Sequence, residues 1–197
     1  MKVAVIRYNA GNIQSVLFAL ERIGIEANAT DDPGLINSAD KVIFPGVGEA
    51  GSAMKFLKEK KLDETIRNLQ QPVLGICLGM QLLAKQSDEN NTECLGIFDE
   101  LIIKRFQGSE PGLKIPQIGW NTIKELRGPL FKNIPDQSHC YFVHGYCADK
   151  CEHTIAETDY LITYSSAIQK NNFYGVQFHP EKSAETGEQI LKNFLSL

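Results

Sequence analysis

The first half of the chain alternates short apolar runs with segments of helical periodicity. The run from Val3 to Ile6 is rich in β-branched residues and predicts a buried strand. After the turn cluster "NAGN" (9–12), apolar residues recur at helical spacing from Ile13 to Ile23, and Gly24 follows in the position of a helix C-cap. A strand, a turn and an amphipathic helix in this order predict the opening of a βαβ unit.

The same rhythm continues along the chain. The segments "IEANAT" (25–30), "KVIFPGVG" (41–48) and "PVLGI" (72–76) predict strands, and "AMKFLKEKKLDETIRNLQ" (53–70) and "GMQLLAKQ" (79–86) predict helices. Strands that alternate with helices are typical of a mostly parallel sheet with helices on both faces. The first half therefore predicts an α/β fold.

The pattern changes from Leu95 onwards. Short strand-like runs follow one another without long helices between them, which predicts antiparallel or mixed strands beside the parallel sheet. Helical periodicity returns only in the last segment, "AETGEQILKNFLSL" (184–197). Because no repeat, low-complexity tract or long linker divides the chain, we expect a single domain over residues 1–197.

Composition narrows the class of protein. Of the 197 residues, 43% are hydrophobic and 22% are charged, as in ordinary globular proteins. The net charge of -4 provides no basic field for nucleic acid, and no window has the roughly 20 apolar residues of a membrane span. Without a signal peptide, an odd count of 5 cysteines favours reduced thiols, so we expect a cytoplasmic protein that binds neither nucleic acid nor membrane.

The segment "GICLG" (75–79) suggests a nucleophile. A predicted strand runs into a turn at Cys77 and a predicted helix leaves from Leu78, with Gly75 and Gly79 on either side, which is the pattern of a nucleophile elbow. The N–H groups at the start of a helix favour a thiolate and can hold the oxygen of a tetrahedral intermediate. The alternative is that Cys77 is a small buried apolar residue.

A cysteine nucleophile needs a base and a group that orients the base. His179 follows a strand-like run, and Glu181 lies two residues further, on the same face of an extended segment. A carboxylate there can fix the imidazole tautomer while the other ring nitrogen faces a thiol. The alternative is that His179 only caps a strand and Glu181 is solvated.

Three segments identify a family. "PGVG" (45–48), "GICLGMQ" (75–81) and "FHPEKS" (178–183) resemble the signature segments of class I glutamine amidotransferases, in order and in spacing. The resemblance covers the whole chain and implies the flavodoxin-like α/β fold of that family. Further segments, "YNAGNIQSVLFALERIG", "IPQIGWN" and "YFVHGY", resemble the glutaminase subunits of imidazole glycerol phosphate synthases, a subfamily that acts in histidine biosynthesis.

The resemblance assigns roles to residues. It makes Cys77 the nucleophile, His179 the general base and then acid, and Glu181 the orienting carboxylate. It implies an oxyanion hole and a glutamine pocket, and no metal or other cofactor. The oxyanion residues would be Val47, Gly48 and Leu78, and the pocket residues Gly46, Gln81, Val143 and His144.

The resemblance also implies a partner. In the subfamily, ammonia from glutamine passes to a (βα)₈-barrel cyclase, which makes imidazole glycerol phosphate and AICAR, so we expect a heterodimer. Asn12, Trp120 and Lys182 match positions that face the cyclase in relatives. Trp120 is the only tryptophan, and aromatic residues are frequent interface anchors. The alternative interpretation is that Trp120 packs in the core.

Two features depart from the subfamily. The first loop reads "RYNAGN" (7–12) where many relatives have an Asp-Tyr-Gly version, and we expect this loop to meet the partner rather than the thiol. Cys147 stands where a larger residue is expected. A zinc site is a weaker alternative, because the paired ligand spacing of such sites is incomplete here. Its candidate ligands are His139, Cys140, His144, Cys147, Cys151 and His153.

Other functions remain open. A paralogous amidotransferase that feeds ammonia to a synthase of surface-sugar biosynthesis would share the chemistry and differ in its partner. A non-catalytic scaffold of the same fold would have no physical reason to keep Cys77, His179 and Glu181. A cysteine peptidase or hydrolase of similar fold would not need "PGVG" and "HPEKS" together.

Overall fold

A computed structural model describes residues 1–9, 12–108 and 110–197 of the chain. The sheet begins with parallel strands whose every residue is buried, except in the edge strand β2. These strands are β1 (Val3–Ile6), β2 (Ala27–Thr30), β3 (Lys41–Phe44) and β4 (Val73–Ile76). Their spatial order is β2, β1, β3, β4, so the predicted parallel sheet is confirmed.

The second half extends this sheet with mostly antiparallel strands. Its strands are β5 (Ala84–Ser87), β6 (Thr92–Glu93), β7 (Phe98–Arg105), β8 (Gln117–Ile123), β9 (Ser138–His144), β10 (Tyr146–Ala148), β11 (Thr154–Tyr160), β12 (Ile162–Lys170) and β13 (Phe173–Val176). β13 returns to pair in parallel with β4, whereas β12 and β10 pair antiparallel beyond it. β8 and β9 form a separate two-stranded ribbon.

Helices cover both faces of the sheet. They are α1 (Ile13–Arg22), α2 (Pro33–Asn37), α3 (Ala50–Glu59), α4 (Leu62–Arg67), α5 (Leu78–Leu82) and α6 (Ala184–Leu195). Alternate residues of β1 enter two different apolar clusters, because successive side chains of a strand point to opposite faces. α1 and α6 pack in the cluster of Val3 and Val5, and α2 to α5 pack in the cluster of Ala4 and Ile6.

Two predicted helices differ from those in the structure. Residues 53–70 form α3 and α4, which are separated at Lys61 in the left-handed region (φ 56). Leu57 and Leu62 are both fully buried but lie five residues apart, which in one continuous helix would turn them about 140° away from each other. The break therefore allows both to reach the core.

The other difference is the end of α5. The prediction continued this helix to residue 86, but α5 ends at Leu82, and Ala84–Ser87 forms β5 in parallel pairing with β7. Tertiary pairing overrides helical propensity here. In the described part of the chain, no helix is long and apolar enough to cross a membrane.

Candidate active site

Cys77 lies at a strained turn at the carboxyl end of the parallel sheet. Its backbone has φ 52 and ψ −109, and its N–H donates to the Val176 carbonyl at 2.8 Å. The flanking glycines are required by close packing: a Cβ on Gly75 would lie 2.9 Å from the Gly79 carbonyl oxygen, and one on Gly79 would collide with the Phe44 carbonyl. The local geometry of the predicted elbow is present.

His179 and Glu181 form a buried pair, and His179 contacts the Cys77 side chain. The His179 Nδ1 is 2.8 Å from Glu181 Oε1, and both side chains are buried. The backbone N–H of His179 donates to the Tyr141 carbonyl at 2.9 Å, which fixes the backbone of this segment. Burial lowers the pKa of His179, but its contacts with Cys77 and Glu181 and their negative charges outweigh this effect and raise it to about 10. A raised pKa makes His179 a suitable acceptor for the proton of the Cys77 thiol.

The first loop reaches this site at both of its described ends. The Asn12 amide donates to Glu181 Oε1, so this carboxylate oxygen is shared by Asn12 and His179. The Tyr8 hydroxyl donates to the Pro45 carbonyl at 2.8 Å, at the start of "PGVG". Tyr8 and Asn12 therefore contact residues of the candidate site, and the expected contact of this loop with a partner stays a prediction. Ala10 and Gly11 lie outside the described residues.

The Cys77 sulfur has two further polar contacts. Its S–H donates to the Val143 carbonyl at 3.6 Å, and the Gln177 Nε2 donates to Sγ at 3.7 Å. The Gln177 Oε1 in turn accepts from Gln81 Nε2 at 2.9 Å. Gln177 was missed in the sequence because it precedes His179 in an apolar run, where only its polarity distinguishes it.

A cleft of about 530 Å³ opens over the thiol. Most of the residues that the resemblance implied are on its wall, together with several that the sequence did not indicate. The wall consists of Val47, Gly48, Cys77, Leu78, Gln81, Glu89, Arg105, Ile115, Pro116, Val143, His144, Gly145, Tyr146, His179 and Lys182.

Gly46 is packed behind the wall rather than on it. A Cβ at Gly46 would lie 2.8 Å from the Gly79 nitrogen and 2.9 Å from Leu78 Cβ, so only glycine fits between "PGVG" and α5. Its carbonyl accepts the backbone N–H of Leu78 at 3.3 Å. One of the two N–H groups expected to hold an oxyanion is therefore already bonded within the protein.

Glu89 and Arg105 add charges of opposite sign to the cleft wall. Glu89 accepts from the Ala50 N–H at 2.7 Å, and burial raises the pKa of its carboxyl group. In the sequence both residues look like solvated charges, because Glu89 lies in a polar turn and Arg105 ends a strand with exposed charges. Only the folding of β5 to β7 toward the elbow brings them to the cleft.

Two of the expected partner residues lie on one surface around Tyr141. Trp120, on β8, is 54% exposed and packs edge-on against the Tyr141 ring, with 5.9 Å between the ring centroids. The Lys182 Nζ lies 6.0 Å from the centroid of the Tyr141 ring. The alternative that Trp120 belongs to the core is wrong. Asn12, the third residue, instead contacts Glu181.

The zinc alternative has no geometric support. Within residues 1–9, 12–108 and 110–197, no three His, Cys, Asp or Glu side chains converge as metal ligands. Cys140 and Cys147 are buried, and burial raises the pKa of both thiols to about 12. Cys151 is an exposed free cysteine.

Comparison with solved structures identifies the fold. The crystal structure of a glutamine amidotransferase superimposes with a TM-score of 0.76 at 20% identity, over 98% of this chain and 97% of the other. A glutamine amidotransferase from Thermotoga maritima superimposes with a TM-score of 0.63 at 20% identity, over 99% of this chain and 82% of the other. The predicted fold class is therefore confirmed.

The family follows from the sequence itself. The family model of class I glutamine amidotransferases matches residues 6–197. The chain belongs to the class I glutamine amidotransferase family, and it is thus an enzyme of that class.

Curated relatives place the chain more narrowly within this family. The Imidazole glycerol phosphate synthase subunit HisH of Bacteroides fragilis is 56% identical over 197 residues, which is 100% of both chains. The protein of the same name from Haemophilus influenzae is 46% identical over 99% of this chain and 97% of its own length. The resemblance read from the three sequence segments is confirmed at full length.

Proposed function

We propose that this chain is the glutaminase subunit of an imidazole glycerol phosphate synthase in histidine biosynthesis. It would hydrolyse L-glutamine to glutamate and ammonia and pass the ammonia to a cyclase subunit, which makes imidazole glycerol phosphate and AICAR. The observation that carries the proposal is that Cys77 and His179 line one cleft, while Glu181 is hydrogen-bonded to His179 Nδ1. We propose that residues 1–197 act as one domain, and that the reaction takes place in the cytoplasm with the other steps of the pathway.

The reaction follows from the positions of these three side chains. His179 takes the proton of the Cys77 thiol, and the sulfur attacks the side-chain amide carbon of glutamine. His179 then donates this proton to the departing nitrogen, which leaves as ammonia. The product is a glutamyl thioester on Cys77. Water then attacks the thioester carbonyl, His179 accepts the proton of that water, and glutamate leaves while the sulfur regains its starting state. Glu181 holds the ring through Nδ1 in both steps.

The cleft wall offers complementary charges for a free amino acid. Glutamine carries an α-ammonium and an α-carboxylate, and the wall presents the Glu89 carboxylate and the Arg105 guanidinium. Gln81 lies on the same wall, with its amide nitrogen held by the Tyr146 carbonyl at 3.1 Å. This pattern favours free glutamine over a glutamine side chain within a polypeptide, in which both charges are absent.

The "PGVG" segment provides a reason for control by the partner. The Leu78 N–H donates to the Gly46 carbonyl, so it is not free to bind an oxyanion in this conformation. Rotation of the peptide units at Val47 and Gly48 would release Leu78 and supply a second N–H. Gly48 has φ +113, a value that other residues rarely adopt, and is exposed on the cleft wall. One oxyanion donor is typically worth about 10²- to 10³-fold in rate.

The surface beside the cleft fits a protein partner. Ile118 is 64% exposed and Trp120 54% exposed on the same ribbon, and Val143 is exposed at the cleft edge. Exposed apolar residues grouped in this way are typical of interaction surfaces. Lys182 adds a positive charge next to them. A cyclase bound here would close the cleft at the place where ammonia is released.

The proposal is tested by glutamate release from glutamine. The rate is measured for the chain alone and with an imidazole glycerol phosphate cyclase and its nucleotide substrate, with Cys77→Ala as the blank and the exposed Cys151→Ser as the control. Strong stimulation that disappears only in Cys77→Ala supports both the site and the partner. Equal rates with and without the liganded cyclase contradict the switch and move the partner to another synthase, such as one of surface-sugar biosynthesis. Unchanged activity in Cys77→Ala contradicts the mechanism.

A further inference from the structure

Two buried polar side chains, those of Gln117 and Tyr164, lie behind the cleft wall and do not line the cleft. Gln117 on β8 is 2% exposed, and Tyr164 on β12 is fully buried. The Tyr164 Oη lies 3.0 Å from the Gln117 amide and 3.1 Å from His144 Nε2. His144, on the wall, is the point where these side chains meet the site.

Only one ring nitrogen of His144 can carry its proton. Burial, with the positive charge of His179, lowers the pKa of His144 to about 4 against the opposing hydrogen bond to Tyr146, so the ring is neutral near pH 7 and carries one N–H. The Nδ1 lies 2.7 Å from the Tyr146 carbonyl oxygen, which can only accept a hydrogen bond. The proton is therefore on Nδ1, and Nε2 must accept from the Tyr164 O–H.

This assignment also fixes Gln117. Since the single proton of Tyr164 is donated to His144, its oxygen can only accept from the Gln117 amide. The Gln117 Nε2 is buried without a hydrogen-bond partner among the described residues, while Oε1 faces Tyr164. A half-turn of the amide, whose two ends are nearly identical in shape, places Nε2 against the Tyr164 oxygen. Oε1 then takes the position that has no hydrogen-bond partner among the described residues.

Hydrogen bonds also extend from the other side of His144, where the Tyr146 carbonyl accepts from both neighbours. The Tyr146 carbonyl also accepts from Gln81 Nε2 at 3.1 Å, and the second N–H of Gln81 goes to Gln177 Oε1. The Gln177 Nε2 then donates to the Cys77 sulfur. Every link has one donor and one acceptor. The buried chain runs Gln117, Tyr164, His144, the Tyr146 carbonyl, Gln81, Gln177 and Cys77.

We propose that Tyr164 and Gln117 are positioning residues, which hold His144 and the Tyr146 carbonyl and thereby fix Gln81, Gln177 and the Cys77 thiol. Their effect on catalysis rests on the proposed glutaminase function, but their effect on the thiol does not. Gln117 shares β8 with the exposed Ile118 and Trp120. This series of hydrogen bonds consequently connects the surface proposed for the partner with the sulfur atom of Cys77.

The first test compares Tyr164→Phe with Tyr174→Phe. Tyr174 is also buried on the neighbouring strand and accepts from one amide, Gln169 Nε2 at 3.1 Å, so the control removes a similar hydrogen bond outside the chain. In a Cys151→Ser background, the alkylation rate of Cys77 by iodoacetamide, read by peptide mass spectrometry, and kcat and KM for glutamine are measured with the partner present. Thermal unfolding is followed for both variants.

In Tyr164→Phe we expect the Cys77 alkylation rate to change and kcat to fall by about three- to tenfold, while KM changes less. In Tyr174→Phe we expect the alkylation rate and kcat to stay unaffected. Equal behaviour of the two variants, in the presence of normal parental activity, overturns the inference. If the parent has no glutaminase activity but Tyr164→Phe still alters the alkylation rate of Cys77, the proposed function is contradicted and the positioning role remains supported.

The second test addresses which groups donate and which accept in the hydrogen bonds between Gln117, Tyr164 and His144. At about pH 9, where even a buried Glu is at or above its documented pKa range, the carboxylate of Gln117→Glu draws the Tyr164 proton away from His144. In Gln117→Leu, Tyr164 remains free to donate to His144. We therefore expect Gln117→Glu to impair alkylation and kcat more than Gln117→Leu, although Glu is the closer match in shape. The reverse order overturns the assigned direction.

Discussion

The two walls of the cleft are built in different ways. The wall around Cys77 comes from consecutive residues at a strand-to-helix turn, where Gly75 and Gly79 permit contacts that no side chain could fit. The opposite wall, around His144, comes from the β9 to β10 turn, whose geometry depends on β7, β8 and β12 packed behind it. A local motif places the proposed nucleophile, whereas its surroundings depend on contacts between distant segments.

The histidines of the two walls show the same difference. His179 is paired with Glu181 and Cys77, which raise its pKa to about 10 despite its burial. The hydrogen-bond partners of His144 are neutral, and burial, together with the positive charge of His179, lowers its pKa to about 4. In the proposed mechanism the first ring carries the proton for the leaving group, and in the proposed hydrogen-bond arrangement the second ring is neutral and accepts from Tyr164. Burial alone does not decide the charge of a histidine.

The largest effect is expected from removal of the charge of Glu181. In Glu181→Gln the ring of His179 loses the carboxylate that favours its protonated form, so the pKa of His179 falls below about 10. We expect kcat for glutamine to decrease by about 10²- to 10⁴-fold. Glu185→Gln, an exposed residue of α6, is the control. An unchanged kcat would remove Glu181 from the mechanism.

The acid side of the stability profile depends on His144. Its folded pKa of about 4 is below the unfolded value near 6.5, so the unfolded chain binds the proton first. The contribution is fully present above about pH 6.5 and is lost as pH falls towards 4, a change of about 3 kcal/mol. Urea unfolding of the parent and of His144→Gln at several pH values should differ in slope over this range. Parallel profiles would contradict the neutral assignment.

Glycine substitutions distinguish the two walls. In Gly79→Ala the new methyl group collides with the Phe44 carbonyl, and we expect a loss of about 3 kcal/mol in the free energy of unfolding. In Gly145→Ala, on the opposite wall, the nearest atom would be Pro116 Cβ at an ordinary 3.8 Å, so we expect a change within about 0.5 kcal/mol. Similar losses in denaturant titrations would show that the elbow has no special packing requirement.

The smallest effect concerns the partner surface. Trp120→Ala should weaken binding to the cyclase by about tenfold, since aromatic anchors are frequent hot spots. Leu35→Ala, which removes a 49% exposed apolar side chain from α2, should leave the Kd unchanged. Titration calorimetry measures both. Equal Kd values for the parent and Trp120→Ala would place the interface elsewhere.

The sequence predicted what depends on neighbouring residues. The strands before Cys77 and before His179, and the glycines of the elbow, have local signatures, and the structure places these elements as expected. The break at Lys61 and the strand at residues 84–87 were missed because they are imposed by packing and by pairing with β7. Periodicity within a segment carries no information about such contacts.

The missed parts of the site have the same origin. Glu89 and Arg105 come to the cleft only through the pairing of β5 with β7. The contact of Asn12 with Glu181 joins residues 169 positions apart. A charged or polar residue in a turn gives no sequence pattern that distinguishes a buried partner from a solvated one, so these contacts required the structure.

The central claim is that Cys77 is acylated by glutamine. The most direct measurement is acid quenching of the enzyme during turnover with glutamine and the liganded partner, followed by mass spectrometry of its cysteine peptides. We predict a glutamyl adduct on the peptide that contains Cys77, formed and lost at rates consistent with glutamate release. Glutamate release at the full rate by Cys77→Ala, or an adduct on any other cysteine, would contradict the account.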